Sequence, residues 1–542
     1  MKNKIVQFVL LIIGLTALGF LLYGNVINGP FFYDDMGLVE YNQQITSFEY
    51  FTEWFTTSPS SGAGINTNLY RPIPTVLNAI VYKIGGLNHA YYHILNILLH
   101  IANSVLVFFL LKGINLKKSL AVLGSIIFLA HPVQTESVAY IAGLPDVLAP
   151  FFVLMSLILF LKTFDTSDKK TNIALIILAS LSYLLALLSK ESAIHLFLLM
   201  PLLVVFKWDC LDKKQKKKTL YNFIPIITIT IAYLFINLTI LQHADTKLIT
   251  GMEIYTESII NRTISFISII QEYLILIFFP KHLFFDKPFL ISTSILTVRG
   301  ILGLAFIIFG GALSIISLRR KKYFALGFIW FFFALAPVSG ILIPSNAIYT
   351  EHWLYLPIIG FIIIIMSLIS EMKKKKIFTI LMISIYISCL PLGILTMKRN
   401  LEWKNPWSFF IHELEYNQTP RLYAKLGNLY LEVEQYEKAA EVLEKAVNQE
   451  ILVINAYHNL AVAYHHLERY DDALKYYLKT LFINPDFKKA YGNLILLFKT
   501  LEMYDAAEVV KDYATKTSEF TPTIDDIQEM KEKLNALYPK NL

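Results

Sequence analysis

Residues 5–23 read IVQFVLLIIGLTALGFLLY, and the chain continues GNVINGPFFYDD to residue 35. An uncharged run of this length, wound as a helix, covers about 30 Å, the thickness of a hydrocarbon layer. The two adjacent carboxylates that follow mark a return to water. Lys2 and Lys4 precede the run, no small-residue cleavage pattern follows it, and further runs come later. It therefore reads as a retained anchor with the N-terminus in the cytoplasm.

Further apolar runs lie near residues 90–111, 119–138, 146–162, 172–189, 193–206, 221–241, 300–317, 323–343, 353–370 and 377–396, which makes eleven with the first. Across 542 residues, 55% are hydrophobic and 16% charged, with a mean hydropathy of +0.53. That balance excludes a soluble enzyme of this length. The net charge of +7 would suit nucleic acid if the lysines formed one patch. They cluster instead in short connections between apolar runs, as topology signals do, so no nucleic-acid partner is expected. The clusters Lys112–Lys118, Lys169–Lys170, Lys213–Lys218, Arg319–Lys322 and Lys373–Lys376 share one side if the eleven runs alone span. That side is read as the cytoplasm.

Residues 259–279 are apolar but carry Arg262, Gln271 and Glu272, which are costly against lipid. This segment is expected to be re-entrant or packed inside the bundle. An odd number of spans then places the C-terminal part outside, together with residues 24–89, the turn from His131 to Asp146 and the turn from Ser345 to His352. The two cysteines, Cys210 and Cys389, suggest no disulfide framework.

Near Lys398 the composition shifts to that of ordinary charged, soluble helix. The expected division is a membrane domain over 1–397, an interfacial linker over 398–420 and a repeat domain over 421–542. Trp403 and Trp407 read as headgroup-zone anchors in the linker. Beyond residue 420 a 34-residue period appears in five registers: Tyr423, Tyr457, Tyr491; Leu426, Leu460, Leu494; Tyr430, Tyr464, Phe498; Tyr436, Tyr470, Tyr504; and Ala439, Ala473, Ala507. Period and large/small alternation resemble tetratricopeptide repeats, in which pairs of helices stack into a solenoid. Nearly all of these side chains are expected in its core, with residues 523–538 as a final capping helix. A solenoid of this kind presents a concave face to a protein or peptide.

The outer segments hold the candidate chemistry. Asp34 and Asp35 repel each other and need protons, a cation or a basic partner. His131, Glu136 and Asp146 lie in an otherwise apolar stretch, Lys190 and Glu191 end the fifth run, and Glu351 and His352 open the tenth. Arg71 adds a fork suited to phosphate. Ionisable groups from five segments on one side imply a polar cavity at the outer leaflet, formed by His131, Glu136, Asp146, Glu191 and Glu351. A lipid-phosphate sugar carries its head at that depth. A carboxylate there can deprotonate an acceptor hydroxyl, while cationic groups, or a divalent cation such as Mg or Mn, stabilise the leaving phosphate. No glycine-rich phosphate loop occurs in the sequence.

Taken in order, FFYDD, YRPIPTVLNAI, YYHILNILLH, HPVQTESVAYIAGLPDVLA, SKES, EHWLYLP and the repeats resemble the TMTC proteins, transmembrane and tetratricopeptide-repeat O-mannosyltransferases of the GT-C glycosyltransferase superfamily. The resemblance implies an all-α fold: a GT-C bundle of about eleven spans followed by a tetratricopeptide-repeat solenoid. It also implies inverting transfer of a sugar, mannose or another hexose, from a polyprenyl-phosphate donor to a Ser or Thr hydroxyl of a protein acceptor. The catalytic aspartate of the first external loop falls on Asp34 or Asp35, with Asp34 favoured as the base. The family's Gly-Arg-Ala-Asp and Glu-Arg are replaced by Gly143-Leu144-Pro145-Asp146 and Glu351-His352. Phosphate binding then shifts to Arg71, Lys190 and His352. The competing readings are a membrane-anchored repeat scaffold and a lipid-linked-sugar flippase. The first leaves the external acids unexplained, and the second calls for ionisable residues at mid-span rather than at span ends.

Overall fold

The computed structural model describes residues 2–239, 253–288, 290–318, 322–345, 347–449, 453–516 and 522–537. All regular structure among them is helical. They form two units, Met1–Pro406 and Trp407–Leu542.

In the first unit, nine helices among the described residues are long and apolar enough to cross a membrane. Eight of these coincide with expected runs; the ninth is Ile259–Phe278. The runs near 119, 323 and 353 form the shorter helices Lys118–Ala130, Tyr323–Val338 and Ile358–Ser370. Their ends are diverted into 3₁₀ turns, at Pro132 after the first and at His352–Leu354 before the last. A proline has no N–H to continue the ladder, and the residue before it leaves the helical region. Of the expected basic clusters, Arg319 to Lys321 lie outside the described residues, as do the last two residues of the run 221–241.

Local chemistry sets the helix starts. Asn88, Asp168, Asp212 and Ser258 each accept a backbone N–H of the first turn through the side chain, the usual remedy for unpaired donors at a helix start. Packing is close where helices cross: a Cβ on Gly327 would lie 2.3 Å from the Gly360 carbonyl oxygen, so both positions need glycine. Buried polar bonds then fix which ends meet. Trp330 Nε1 donates to the Leu356 carbonyl at 3.0 Å, Thr396 Oγ1 to the Ala130 carbonyl at 2.8 Å and Asn400 Nδ2 to the Leu22 carbonyl at 2.7 Å. One end of the bundle therefore gathers the segments that follow Tyr23, Ala130 and Leu335 and that precede Leu144 and Ile358. The lysine-rich connections at residues 112–118, 169–170, 213–218 and 373–376 lie at the other end.

The helix Ile259–Phe278 is uninterrupted, yet both its ends are held at the first of these two ends. Arg262 in its first turn donates to the carbonyls of Thr256 at 2.6 Å and Ile341 at 3.0 Å. At its last turn, the Ile277 carbonyl accepts from His131 Nε2 at 2.9 Å. Its polar residues are met within the protein: Glu272 pairs with Arg299 at 3.3 Å.

The second unit stacks helix pairs. Pro420–Glu432 with Tyr436–Val447, Ile454–His466 with Tyr470–Ile483, and Lys488–Thr500 with Tyr504–Lys516 form three repeats, followed by Ile524–Leu537. The 34-residue period extends to the backbone, since Glu434, Glu468 and Glu502 all adopt left-handed φ of 58–59° at the turn between paired helices. Ala439, Ala473, Ala507 and the leucine register are buried, as are Ile527, Met530 and Leu534 of the last helix. The Tyr436 register departs from the expected core: Tyr436 and Tyr470 are half-buried and Tyr504 is 64% exposed. It starts the second helix of each pair, where the side chain points back over the turn.

Candidate active site

Two adjacent aspartates in an ordinary turn would share one environment. Here Tyr33 has φ of +58°, a left-handed conformation that costs a non-glycine residue about 1–2 kcal/mol, and the aspartates part. Asp34 is exposed, while its backbone N–H donates to the Tyr140 hydroxyl at 2.8 Å. Asp35 is 1% exposed and accepts the N–H of Ala142 at 2.7 Å and of Phe32 at 3.3 Å. Burial holds the Asp35 carboxyl well above the ordinary carboxylate range, against the two N–H donors and with the Asp34 and Glu40 charges. Asp35 thus latches the loop to residues 140–142 and leaves Asp34 facing outward.

An aromatic wall backs this loop. Phe32, Tyr140 and Phe285 each pack against Trp403, with ring centroids 6.0, 5.1 and 5.7 Å apart, and Tyr33 packs on Phe285 at 5.3 Å. Trp403, expected as a headgroup anchor, is 1% exposed and belongs to this core. It ends the helix Lys375–Trp403, which runs through the expected boundary near residue 398. Trp407 packs on Tyr430 within the repeat unit.

The segment that holds both aspartates opens the helix Leu144–Lys162, and Asp146 sits in its first turn. From Ala142 to Asp146 the helical rise is about 6 Å. Asp146, Lys190, Ser192, His195, His352 and Trp353 line a cavity at this end of the bundle. Lys190 Nζ is bonded to Asp146 Oδ1. His352 is held by Glu136, whose Oε1 meets Nδ1 at 2.5 Å and whose Oε2 accepts the backbone N–H at 3.1 Å. Beside it Arg71 grips Glu191 through two bonds of 3.0 and 2.6 Å. Each of the three groups expected to bind phosphate therefore already faces a carboxylate.

Of the five residues expected to form the cavity, Asp146 lines it; Glu136 and Glu191 stand behind it on His352 and Arg71, and His131 and Glu351 lie elsewhere. His131 is buried with both ring nitrogens used, Nδ1 accepting the Val133 N–H at 3.2 Å and Nε2 donating to Ile277. It pins the helix Ile259–Phe278. Glu351 is 0% exposed; its Oε1 accepts from Lys287 Nζ at 2.8 Å and from the Phe284 N–H at 2.6 Å. Its Oε2 is 3.9 Å from Arg399, which also pairs with Glu402. Sequence reasoning missed Lys287, Arg399 and Glu402, since Lys287 lies more than sixty residues from Glu351 and only the fold brings them together. It missed His195 too. Among the described residues, no group of three or more His, Cys, Asp or Glu side chains is placed to hold a metal ion.

Residues 70–250 match the family described as dolichyl-phosphate-mannose-protein mannosyltransferase, and residues 420–449 and 454–487 match tetratricopeptide repeats. Human protein O-mannosyl-transferase TMTC3 is 23% identical over 90% of this chain and 56% of its own length. Mouse protein O-mannosyl-transferase TMTC2 is 28% identical over 50% of this chain and 34% of its own.

The chain resembles the TMTC protein O-mannosyl-transferases. It spans between a third and just over half of the length of these two relatives. The mannosyltransferase match includes Arg71, His131, Glu136, Asp146, Lys190 and Glu191 but stops short of the acid pair and of Glu351 and His352. Among solved structures, an archaeal oligosaccharyltransferase from Archaeoglobus fulgidus, described in complex with an inhibitory peptide and a dolichol-phosphate, aligns with a TM-score of 0.43. Its identity is 12%, over 74% of this chain and 56% of that one.

Proposed function

We propose that this chain is an inverting glycosyltransferase that moves a hexose, mannose by its relatives' names, from a polyprenyl-phosphate donor to a Ser or Thr hydroxyl of a protein. One observation carries the reading: residues 140–146 hold the two aspartates at one end and place Asp146 in the cavity at the other. The exposed proton acceptor Asp34 and the polar cavity are thus tied to the two ends of one short segment. In the proposed step Asp34 takes the proton of the acceptor hydroxyl. The hydroxyl oxygen attacks the anomeric carbon from the face opposite the phosphate, the anomeric C–O bond breaks, and polyprenyl phosphate leaves with that electron pair. Lys190, His352 and Arg71 are the groups proposed to face the phosphate, which competes for them with Asp146, Glu136 and Glu191. The proposed step uses the chain's own side chains, and a divalent cation such as Mg or Mn is left as an open addition to it.

The orientation proposed is N-terminus cytoplasmic and active face extracytoplasmic. What supports it is that the lysine-rich connections lie at the end of the bundle opposite the aspartates. The repeats are proposed to recruit the acceptor on the extracytoplasmic side. The test is incubation of purified protein with radiolabelled polyprenyl-phosphate sugars and envelope extract. Transfer of label to protein supports the reading, and the absence of transfer from every donor defeats it.

A further inference from the structure

His195 lies in the cavity lining beside Lys190 and Ser192, at the 3₁₀ turn Glu191–His195 that leads into the helix Leu196–Lys207. It is 5% exposed, and neither ring nitrogen has a hydrogen-bond partner of good geometry. The Ser192 carbonyl lies close by without completing a bond. Every other titratable group of the cavity is matched: Lys190 by Asp146 and His352 by Glu136. A buried polar group left unmatched costs about 1–3 kcal/mol, so an imidazole without protein partners in the lining of a polar cavity gains when a polar group of a ligand comes to lie beside it.

The chemistry of that partner follows from the ring. A neutral imidazole offers one N–H donor and one bare acceptor nitrogen. Phosphate oxygens only accept, and Lys190 already supplies donors at this wall. A hydroxyl both donates and accepts, and a sugar ring carries several. Trp353, also in the lining, offers the aromatic surface on which an apolar sugar face rests.

We propose that His195 reads a hydroxyl of the donor's sugar, so that the cavity distinguishes a sugar-bearing polyprenyl phosphate from the bare lipid phosphate. This rests on the donor class proposed above. No partner inside the protein is lost on substitution, so His195→Leu is expected to fold and melt as the unaltered chain does. Binding of mannosyl-phosphoryl-polyprenol and of polyprenyl phosphate is measured on the full chain in detergent, for the unaltered protein, His195→Leu and His195→Asn. His195→Leu is expected to lose about tenfold in affinity for the sugar-bearing lipid, the effect of an unmatched buried hydroxyl, with no change for the bare lipid. His195→Asn keeps a donor and an acceptor and is expected to stay within about threefold. Equal loss on both lipids, or no loss on either, overturns the proposal. So does His195→Asn behaving as His195→Leu, because size alone would then set the preference. If the unaltered chain itself fails to prefer the sugar-bearing lipid, the donor class falls and this inference with it. If that preference is present and survives in His195→Leu, only the role of His195 is lost.

Discussion

Tyr33 decides what the two aspartates can do, because its left-handed backbone turns one carboxyl inward and leaves the other at the surface. Asp34→Asn is therefore expected to lower transfer by about 10²- to 10⁴-fold, the usual loss when a general base is removed, with thermal stability unchanged. Full turnover in this variant refutes Asp34 as the base. Asp35 predicts a different phenotype, in stability. Its folded-state value is raised above the ordinary 3.8, so the stability it contributes is present below that pH and is lost as pH rises through the folded value. Asp35→Asn keeps the neutral form at every pH. Its melting temperature, relative to that of the unaltered chain, is expected to rise between acid and neutral pH, and an unchanged difference across the range contradicts the burial argument. The acid pair was legible in the sequence because adjacent carboxylates at the end of an apolar run need an explanation. Which one is latched was not legible, since it depends on one φ angle and on the Ala142 N–H, more than a hundred residues away.

At the scale of elements, apolar length located the helices well and their ends poorly. Runs near 119, 323 and 353 look long because apolar residues such as Val133, Val338 and Leu354 continue through the turns that bound their helices. The helix Ile259–Phe278 is the reverse case, since Arg262 and Glu272 signalled polar surroundings and both find them, with Ile341 and Arg299. The segment after it brings Lys287 to Glu351, a pair whose side chains are 3% and 0% exposed. Removing one partner of a buried pair typically costs about 3–5 kcal/mol, because the other charge stays buried without compensation. Glu351→Gln is thus expected to lower the melting temperature sharply, while Lys287→Met combined with Glu351→Leu recovers much of the loss. The measurement is thermal unfolding of the three proteins in one detergent. A double variant as unstable as Glu351→Gln would mean that the Phe284 N–H and Arg399, rather than the ion pair, hold this junction.

For the whole molecule, the repeat was the most legible feature, because a period of 34 constrains every register at once. Even the left-handed turns at Glu434, Glu468 and Glu502 obey it, although no glycine marks them. Orientation is a different kind of property, set by where lysines lie relative to the bundle ends, and it carries the last prediction. Cys210 is exposed three residues before the Lys213–Lys218 cluster, at the end of the bundle away from the aspartates. Glu437 is exposed in the first repeat, and the helix Lys375–Trp403 that precedes the repeats starts at the lysine-rich end and finishes at the site end. If lysines mark the cytoplasm, a membrane-impermeant maleimide applied to right-side-out vesicles should leave Cys210 unlabelled. It should label Glu437→Cys placed in a Cys210→Ser, Cys389→Ser background, and inside-out vesicles should give the opposite pattern. The reverse result would put the acid pair in the cytoplasm, where the proposed donor orientation fails. Labelling of both sites from one side would mean that the number of crossings between residues 210 and 437 is even, which separates the repeats from the extracytoplasmic acceptor they are proposed to recruit.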